Sequence, residues 1–249
     1  MTGVFHHIYF MPWIGFFTKL EYTDYFVVLD NVGFRRNHIK RVKILNAQGS
    51  EYWLCIPVGN NWGVNCNTIL MPDEIKYKRK FLQTLITSYG KSEYFNEIFP
   101  AIEQILKEAF EEKYLVDCNI KIVDSIRNLL DLKPIKIVKS SALTSSTERT
   151  KRIIEISNQM NIDKIIMGGG KMEQVHDLEK IENEKITLYQ QDNFDEIPEY
   201  VQVQRIRNDL EFKNGLSIVD VLFNIGKQNT REIIQSNAFT PKIYQYERV

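Results

Sequence analysis

Apolar and polar positions change period several times along the chain, and each change predicts an element. Val4-Phe5-His6-His7-Ile8 predicts a short strand. Pro12 and Gly15 then close a turn, and a short helix carries Ile14, Phe16 and Phe17. Tyr25 to Leu29 is a second, buried strand ending at Asp30. Pro12 presets the φ of a first helical position, and Met11 before it is expected to be extended. Two more strands are predicted over Val42 to Leu45 and Glu51 to Val58, joined by the turn residues Asn46-Ala47-Gln48-Gly49.

From 73 to 132 the apolar residues recur at three- and four-residue steps, which predicts a helical insertion. Asp73 is placed to cap its first helix and Gly90 to end it. Ser92 starts the second, with Pro100 as a point of bending, and Asp117 or Asn119 caps the third. After 135 the pattern becomes β-α-β-α-β, with strands at Ile135 to Val138, Lys164 to Met167 and Ile186 to Tyr189. Ser145-Ser146-Thr147-Glu148 starts the first of the intervening helices, and Lys171 to Ile181 forms the second. A last helix runs from Ser217 to Phe223, with Gly226 as its stop. Strands spaced by helices of this length predict an α/β fold. Its core is a mostly parallel, Rossmann-like sheet with flanking helices and the insertion, in one domain over 1–249.

Composition narrows the function classes. The chain is 43% hydrophobic and 26% charged, as expected of a globular protein. Lys plus Arg and Asp plus Glu both number 32, so no net field favours a polyanion, and general nucleic-acid binding is disfavoured. Cys55, Cys66 and Cys118 are too few and too scattered for a disulfide framework or a zinc ribbon, in keeping with a reducing compartment. The chain has no apolar run of about 18 residues and no secretory pattern at its start. The expectation is a cytoplasmic protein without a membrane span.

Several positions carry candidate chemistry. His6 and His7 stand at the end of a strand and beside a helix N-terminus, where open α/β sheets hold ligands and helix amides accept anions. Alternation sends the two rings to opposite faces, so at most one enters a given cleft, either as a general acid/base or as a hydrogen-bonded core histidine. They do not form a metal pair, and His38 and His176 complete no ligand spacing. Gly168-Gly169-Gly170-Lys171 follows a strand and precedes a helix, which suits either an anion cradle or a plain tight turn. Arg35, Arg36 and Arg41 follow the Asp30 strand end, as a solvated face or as forks for phosphate. Asp30 itself suits a turn cap, a partner for a histidine or a contact to a sugar hydroxyl. Trp13 suits a core position or a stacking surface for a sugar. Asp220, on an apolar helix, requires a partner if buried and is read as structural.

The chain also resembles a known family. His6, Phe10, Pro12-Trp13-Ile14-Gly15-Phe16-Phe17, Asp24, Phe26-Val27-Val28-Leu29-Asp30 and Val32 are similar to the opening of the WbqC-like family. His7, Ile8 and Gly33 stand where that opening has Gln, Pro and Gln. Arg41, Ile44, Gly49, Trp53, Leu54, Pro57 and Val58 fit its second block, and Tyr89-Gly90-Lys91 with Tyr94-Phe95 its third. Pro198, Tyr200 and Gln202, and then Gly215-Leu216-Ser217-Ile218-Val219-Asp220 through Phe223-Asn224 to Gly226, resemble its closing elements. Members occur in bacterial clusters for O-antigen and other surface polysaccharides. The resemblance implies a transferase of lipopolysaccharide biosynthesis that attaches a small aminoacyl (glycyl-like) or acyl group to the amine of a nucleotide-linked amino sugar. Its partners are that sugar and an activated donor, and neither cofactor nor metal is implied. His6 is then the catalytic base, and His7, Trp13, Gly15, Asp30, Arg36, Arg41, Gly168, Gly169, Gly170, Tyr200 and Gln202 are the substrate-side candidates. No Cys or Ser has the setting of an activated nucleophile, so the amine attacks directly. The alternatives are a non-catalytic sugar-nucleotide binding module and a nucleotidylyltransferase or ligase-like enzyme. The latter lacks its His-x-Gly-His, since Pro12-Trp13-Ile14-Gly15 stands there.

Overall fold

The computed structural model describes the chain apart from residues 35–36, 74, 169–173, 192–196, 237–241 and 244–249. In its first half, β1 (Thr2–His6), α1 (Ile14–Glu21) and β2 (Tyr25–Val28) lead into the hairpin β3 (Arg41–Leu45) and β4 (Glu51–Cys55). Three helices follow, α2 (Ile75–Tyr89), α3 (Phe95–Ala109) and α4 (Leu115–Leu129). The second half alternates β5 (Lys136–Lys139), α5 (Arg149–Met160), β6 (Lys164–Met167), α6 (Leu178–Asn183) and β7 (Thr187–Gln190). It closes with α7 (Val203–Ile206), α8 (Ile218–Gln235) and the short β8 (Lys242–Ile243).

The main sheet has the order β5-β2-β1-β6-β7-β8; β8 runs antiparallel to β7, and every other pair is parallel. This is the Rossmann-like sheet expected from the β-α alternation. Its strand order reverses between β1 and β6, and in such sheets the crevice at the carboxyl ends of those two strands is where ligands bind. Pairing between β1 and β6 stops at Gly3↔Ile165, which leaves their carboxyl ends unzipped.

Alternation along the strands gives the sheet two apolar faces. Val4, Phe26, Val28 and Ile166 join the larger core with α1, α3, α4 and α8. Val27, Ile165, Met167 and Leu188 join a smaller one with Ile153 and Ile156 of α5 and Leu178 and Ile181 of α6. The residues between β4 and β5 form the expected helical insertion, packed onto the larger core.

Local geometry departs from the sequence expectation where a distant partner decides. Met11 is not extended: its φ is +43, and its carbonyl accepts the Ser217 hydroxyl at 2.8 Å. Pro12 lies outside α1, whose N-cap is Trp13. Asn119 does not cap α4; it is buried inside that helix and donates to the Ile39 carbonyl at 2.8 Å. Glu148, rather than a serine, caps α5 by accepting from Thr150 N and Lys151 N. α6 starts at Leu178, and Lys171 lies outside the described residues. α8 does not stop at Gly226 but runs on to Gln235 across a break there (φ 77, ψ 177). The Tyr94 ring occupies the space a Cβ would need, 2.6 Å away, and Tyr94 N takes up the Phe223 carbonyl. Pro100 sits within α3, which continues through it.

Candidate functional site

His6 ends β1 at the point where the sheet order reverses. Its Nδ1 lies 2.7 Å from the His7 carbonyl oxygen. A carbonyl can only accept, so Nδ1 carries the proton and the neutral ring has its lone pair on Nε2. The ring meets Phe16 of α1 at 5.7 Å and Tyr9 at 4.8 Å, both edge to face. From Tyr9 the aromatic contacts continue to His38 at 5.4 Å, and from His38 to Trp53 on β4 at 5.6 Å. The Arg41 guanidinium lies 4.1 Å from the Trp53 ring centroid and Lys43 Nζ 5.5 Å from it. Cross-strand pairing of Lys43 with Trp53 explains this: Arg41, Lys43 and Trp53 share one face of the hairpin, while Val42 and Ile44 turn into the core.

Three segments are tied together around this row. Phe10 N donates to the His38 carbonyl, Ser217 N to the Lys43 carbonyl and Ile218 N to the Pro12 carbonyl, each at 2.9–3.0 Å. Between them opens a groove of about 670 Å³ lined by Tyr9, Trp13, His38, Lys43, Trp53 and Ser217, among others. That volume suits a ligand of nucleotide-sugar size. Trp13 forms part of the wall, and its ring packs on Gly15, where a Cβ would lie 2.4 Å from it. The N-terminus of α8, capped by Ser217, contributes Ser217 to the groove, so its helix dipole favours an anion there.

The other candidates are distributed more widely. His7 follows β1, its ring 6.4 Å from that of His6. Gly168 follows β6, at the same rim of the sheet; Gly169, Gly170, Arg35 and Arg36 lie outside the described residues. Asp30 is buried and its carboxylate is already engaged. It accepts from the Ser140 hydroxyl at 3.0 Å, Ser141 N at 2.9 Å and the Ser141 hydroxyl at 2.6 Å, which makes it a clamp between the ends of β2 and β5 instead of a substrate contact.

Tyr200 and Gln202, expected on the substrate side, bind Asp220 and also line a separate cavity of about 600 Å³. Tyr200 donates to Asp220 Oδ2 at 2.5 Å and Gln202 Nε2 to the same oxygen at 3.1 Å, while Tyr89 donates to Oδ1 at 2.8 Å. Neither lines the aromatic groove. Asp220 is buried as a structural residue, but its partners are phenols and a carboxamide, not an arginine. Burial raises its carboxyl to about 6 against the pull of those hydrogen bonds.

The three thiols are held protonated. Burial lifts all three, and Cys66 reaches about 11 because the Asp30 charge adds to its burial. Tyr9, His38 and Lys43 line the groove, and sequence reasoning singled out neither Tyr9 nor Lys43 and took up His38 only as a metal ligand. For Lys43 the signal was present, since alternation along β3 sets it beside Arg41 on the face away from Val42 and Ile44. Tyr9 and His38 follow from tertiary contacts.

The sheet order and the ligand-sized groove describe an α/β protein with a candidate site close to the strand reversal. The family model of the WbqC-like protein family matches residues 8–232, and the chain belongs to that family. Membership points to a protein associated with polysaccharide biosynthesis. The match begins at Ile8, after His6 and His7. No curated protein and no solved structure matches the chain. Among the described residues no helix is long and apolar enough to cross a membrane, and no group of three His, Cys, Asp or Glu side chains could hold a metal ion.

Proposed function

We propose that the chain is a transferase attaching a small acyl or aminoacyl group to the amine of a nucleotide-linked amino sugar. The observation that supports this reading is the row from His6 through Tyr9 and His38 to Trp53, running beside the groove. Trp13 and Trp53 offer flat faces to a sugar ring, and Arg41 offers a planar cation to the diphosphate. In the reaction the sugar amine forms a bond to the acyl carbon, and the bond from that carbon to the donor's leaving group breaks, its electron pair going to the leaving group. His6 Nε2 takes the proton from the attacking nitrogen. The raised thiols disfavour an enzyme thioester, so the amine attacks the donor directly.

The test incubates the protein with a panel of nucleotide-linked amino sugars and activated acyl and aminoacyl donors, and follows product mass beside His6→Gln. Acyl addition by the wild type is expected, slowed about 10²- to 10⁴-fold in the variant with sugar-nucleotide binding retained. Wild-type binding without turnover would replace the transferase by a binding module. Pyrophosphate released from a nucleoside triphosphate would point to ligase or nucleotidyl-transfer chemistry instead.

A further inference from the structure

The strap that leads into α8 holds the chain's one Asn-Gly pair, Asn214-Gly215, and both residues line the groove. The strap is fixed on either side of them. Lys213 N donates to Gln202 Oε1 at 2.9 Å, and the Lys213 carbonyl accepts from Gln202 Nε2 at 2.8 Å. Ser217 N donates to the Lys43 carbonyl at 2.9 Å, and the Ser217 hydroxyl to the Met11 carbonyl at 2.8 Å. Between these anchors Gly215 takes a φ of +74, which glycine adopts at little cost. Gly215 is exposed and Asn214 half-buried, and a Cβ on Gly215 would meet nothing within 4 Å. Water therefore reaches both.

The Asn214 side chain and the amide that follows it are already in contact. Gly215 N donates to Asn214 Oδ1 at 2.6 Å. Asn214 Cγ is one carbonyl bond, about 1.2 Å, from that oxygen, and glycine has no side chain to screen the approach. This is the arrangement in which an asparagine cyclises onto its own backbone, the reaction that makes the residue thermolabile. Asn46 supplies the contrast. It is half-buried as well, but Ala47 follows it, and its Oδ1 accepts from Gln48 N and Ser50 N, each at 3.0 Å. Those amides lie two and four residues on and cannot close a five-membered ring.

We propose that Asn214 is a site of spontaneous deamidation, a covalent change that puts a carboxylate into the groove. Gly215 N loses its proton to hydroxide and bonds to Asn214 Cγ. The Cγ–Nδ2 bond breaks, and its electron pair leaves with the nitrogen, which takes a proton from water and departs as ammonia. Water then opens the cyclic imide at either carbonyl, leaving aspartate or isoaspartate. Aspartate adds a negative charge to a wall that also contains Lys43 and Ser217. Isoaspartate routes the main chain through the former side chain. It adds one methylene between the anchors at Lys213 and Ser217, so one of them must shift. Either product opposes an anionic ligand. That consequence rests on the nucleotide-sugar reading; the modification itself does not.

The test incubates the folded full chain at pH 8 and at pH 5 and reads its peptides by mass spectrometry, with isoaspartate detected by enzymatic methyl transfer. Position 214 is expected to gain the mass of one deamidation, faster at pH 8 and well ahead of position 46. Asn214→Gln, which would need a larger ring, should keep its mass there. Asn214→Asp fixes one product and should bind inorganic pyrophosphate about two- to fivefold more weakly than freshly prepared wild type in calorimetry. A gain at 214 no faster than at 46, or one seen only after unfolding in urea, would overturn the site. A gain at 214 with equal pyrophosphate binding by wild type and Asn214→Asp would overturn its effect on the groove. A gain at 214 with no pyrophosphate binding by fresh wild type would leave the modification standing and remove the nucleotide-sugar reading.

Discussion

Asp220 and Lys19 are both charged side chains buried in the helical layer over one face of the sheet, and they differ in company. Each carboxylate oxygen of Asp220 accepts a phenol, and one accepts a carboxamide as well. Lys19 faces an aromatic ring and, among the described residues, no counter-charge. A buried polar group that is satisfied from within belongs to the fold. One that is not leaves a cost that the chain alone does not offset, and a ligand can remove it. The difference separates a group that the fold satisfies from one that it leaves with an aromatic ring alone.

The largest expected effect tests the satisfied half. Asp220→Ala strands the Tyr89 and Tyr200 hydroxyls and the Gln202 carboxamide, and should lower unfolding stability by at least about 3 kcal/mol, read from urea midpoints. Asp220→Asn retains an acceptor and should cost less, and it isolates a pH effect. The folded carboxyl titrates at about 6 against its ordinary 3.8. The folded state therefore holds a proton that the unfolded chain has released, so this group's contribution falls as pH rises from 3.8 to 6 and is flat above. The stability of the wild type relative to Asp220→Asn should be greater at pH 4.5 than at pH 7. A difference that does not move between those pH values would mean that Asp220 is ionised throughout.

Gly15→Ala moves the comparison to the groove. A Cβ there would meet three atoms of the Trp13 ring at 2.4–2.8 Å, so the indole must leave its seat. Overpacking of this kind costs about 1–3 kcal/mol, partly offset by the better helix propensity of alanine. Binding of a nucleotide sugar should fall more than stability does, since the ring is a wall of the groove. Titration calorimetry beside urea unfolding checks this, and equal losses in both would return Trp13 to the core.

What could be read from the sequence divides along similar lines. The strands β1, β2, β5, β6 and β7 follow from local apolar runs, and the β-α alternation predicts their parallel pairing. Features decided by partners far along the chain were not legible. Met11 takes a positive φ while Ser217 bonds to its carbonyl, and Gly226 breaks a helix without ending it while Tyr94 packs there. Tyr200 and Gln202 matched a family element, but the pattern does not show that Asp220, 20 and 18 residues on, takes both side chains.

Arg41 carries the smallest and most selective expectation. Its Nε is buried with no hydrogen-bond partner among the described residues while the guanidinium stacks on Trp53, so it stands on the unsatisfied side of the comparison. Lys43, on the same face, is paired with Glu51 at 2.7 Å, and that pairing holds the Glu51 carboxyl below its ordinary value. Arg41→Lys keeps the charge but loses the planar stack, a loss of about 0.5–1 kcal/mol, or about two- to fivefold in nucleotide-sugar affinity. Turnover at saturation should not change, and stability should fall by no more than about 1 kcal/mol, the worth of the lost stack. Lys43→Met should weaken binding less, because its charge is already neutralised by a neighbour. If Lys43→Met proves the more damaging of the two in calorimetry, the paired cation rather than the stacked one holds the ligand, and the rule drawn from Asp220 and Lys19 does not extend to the hairpin.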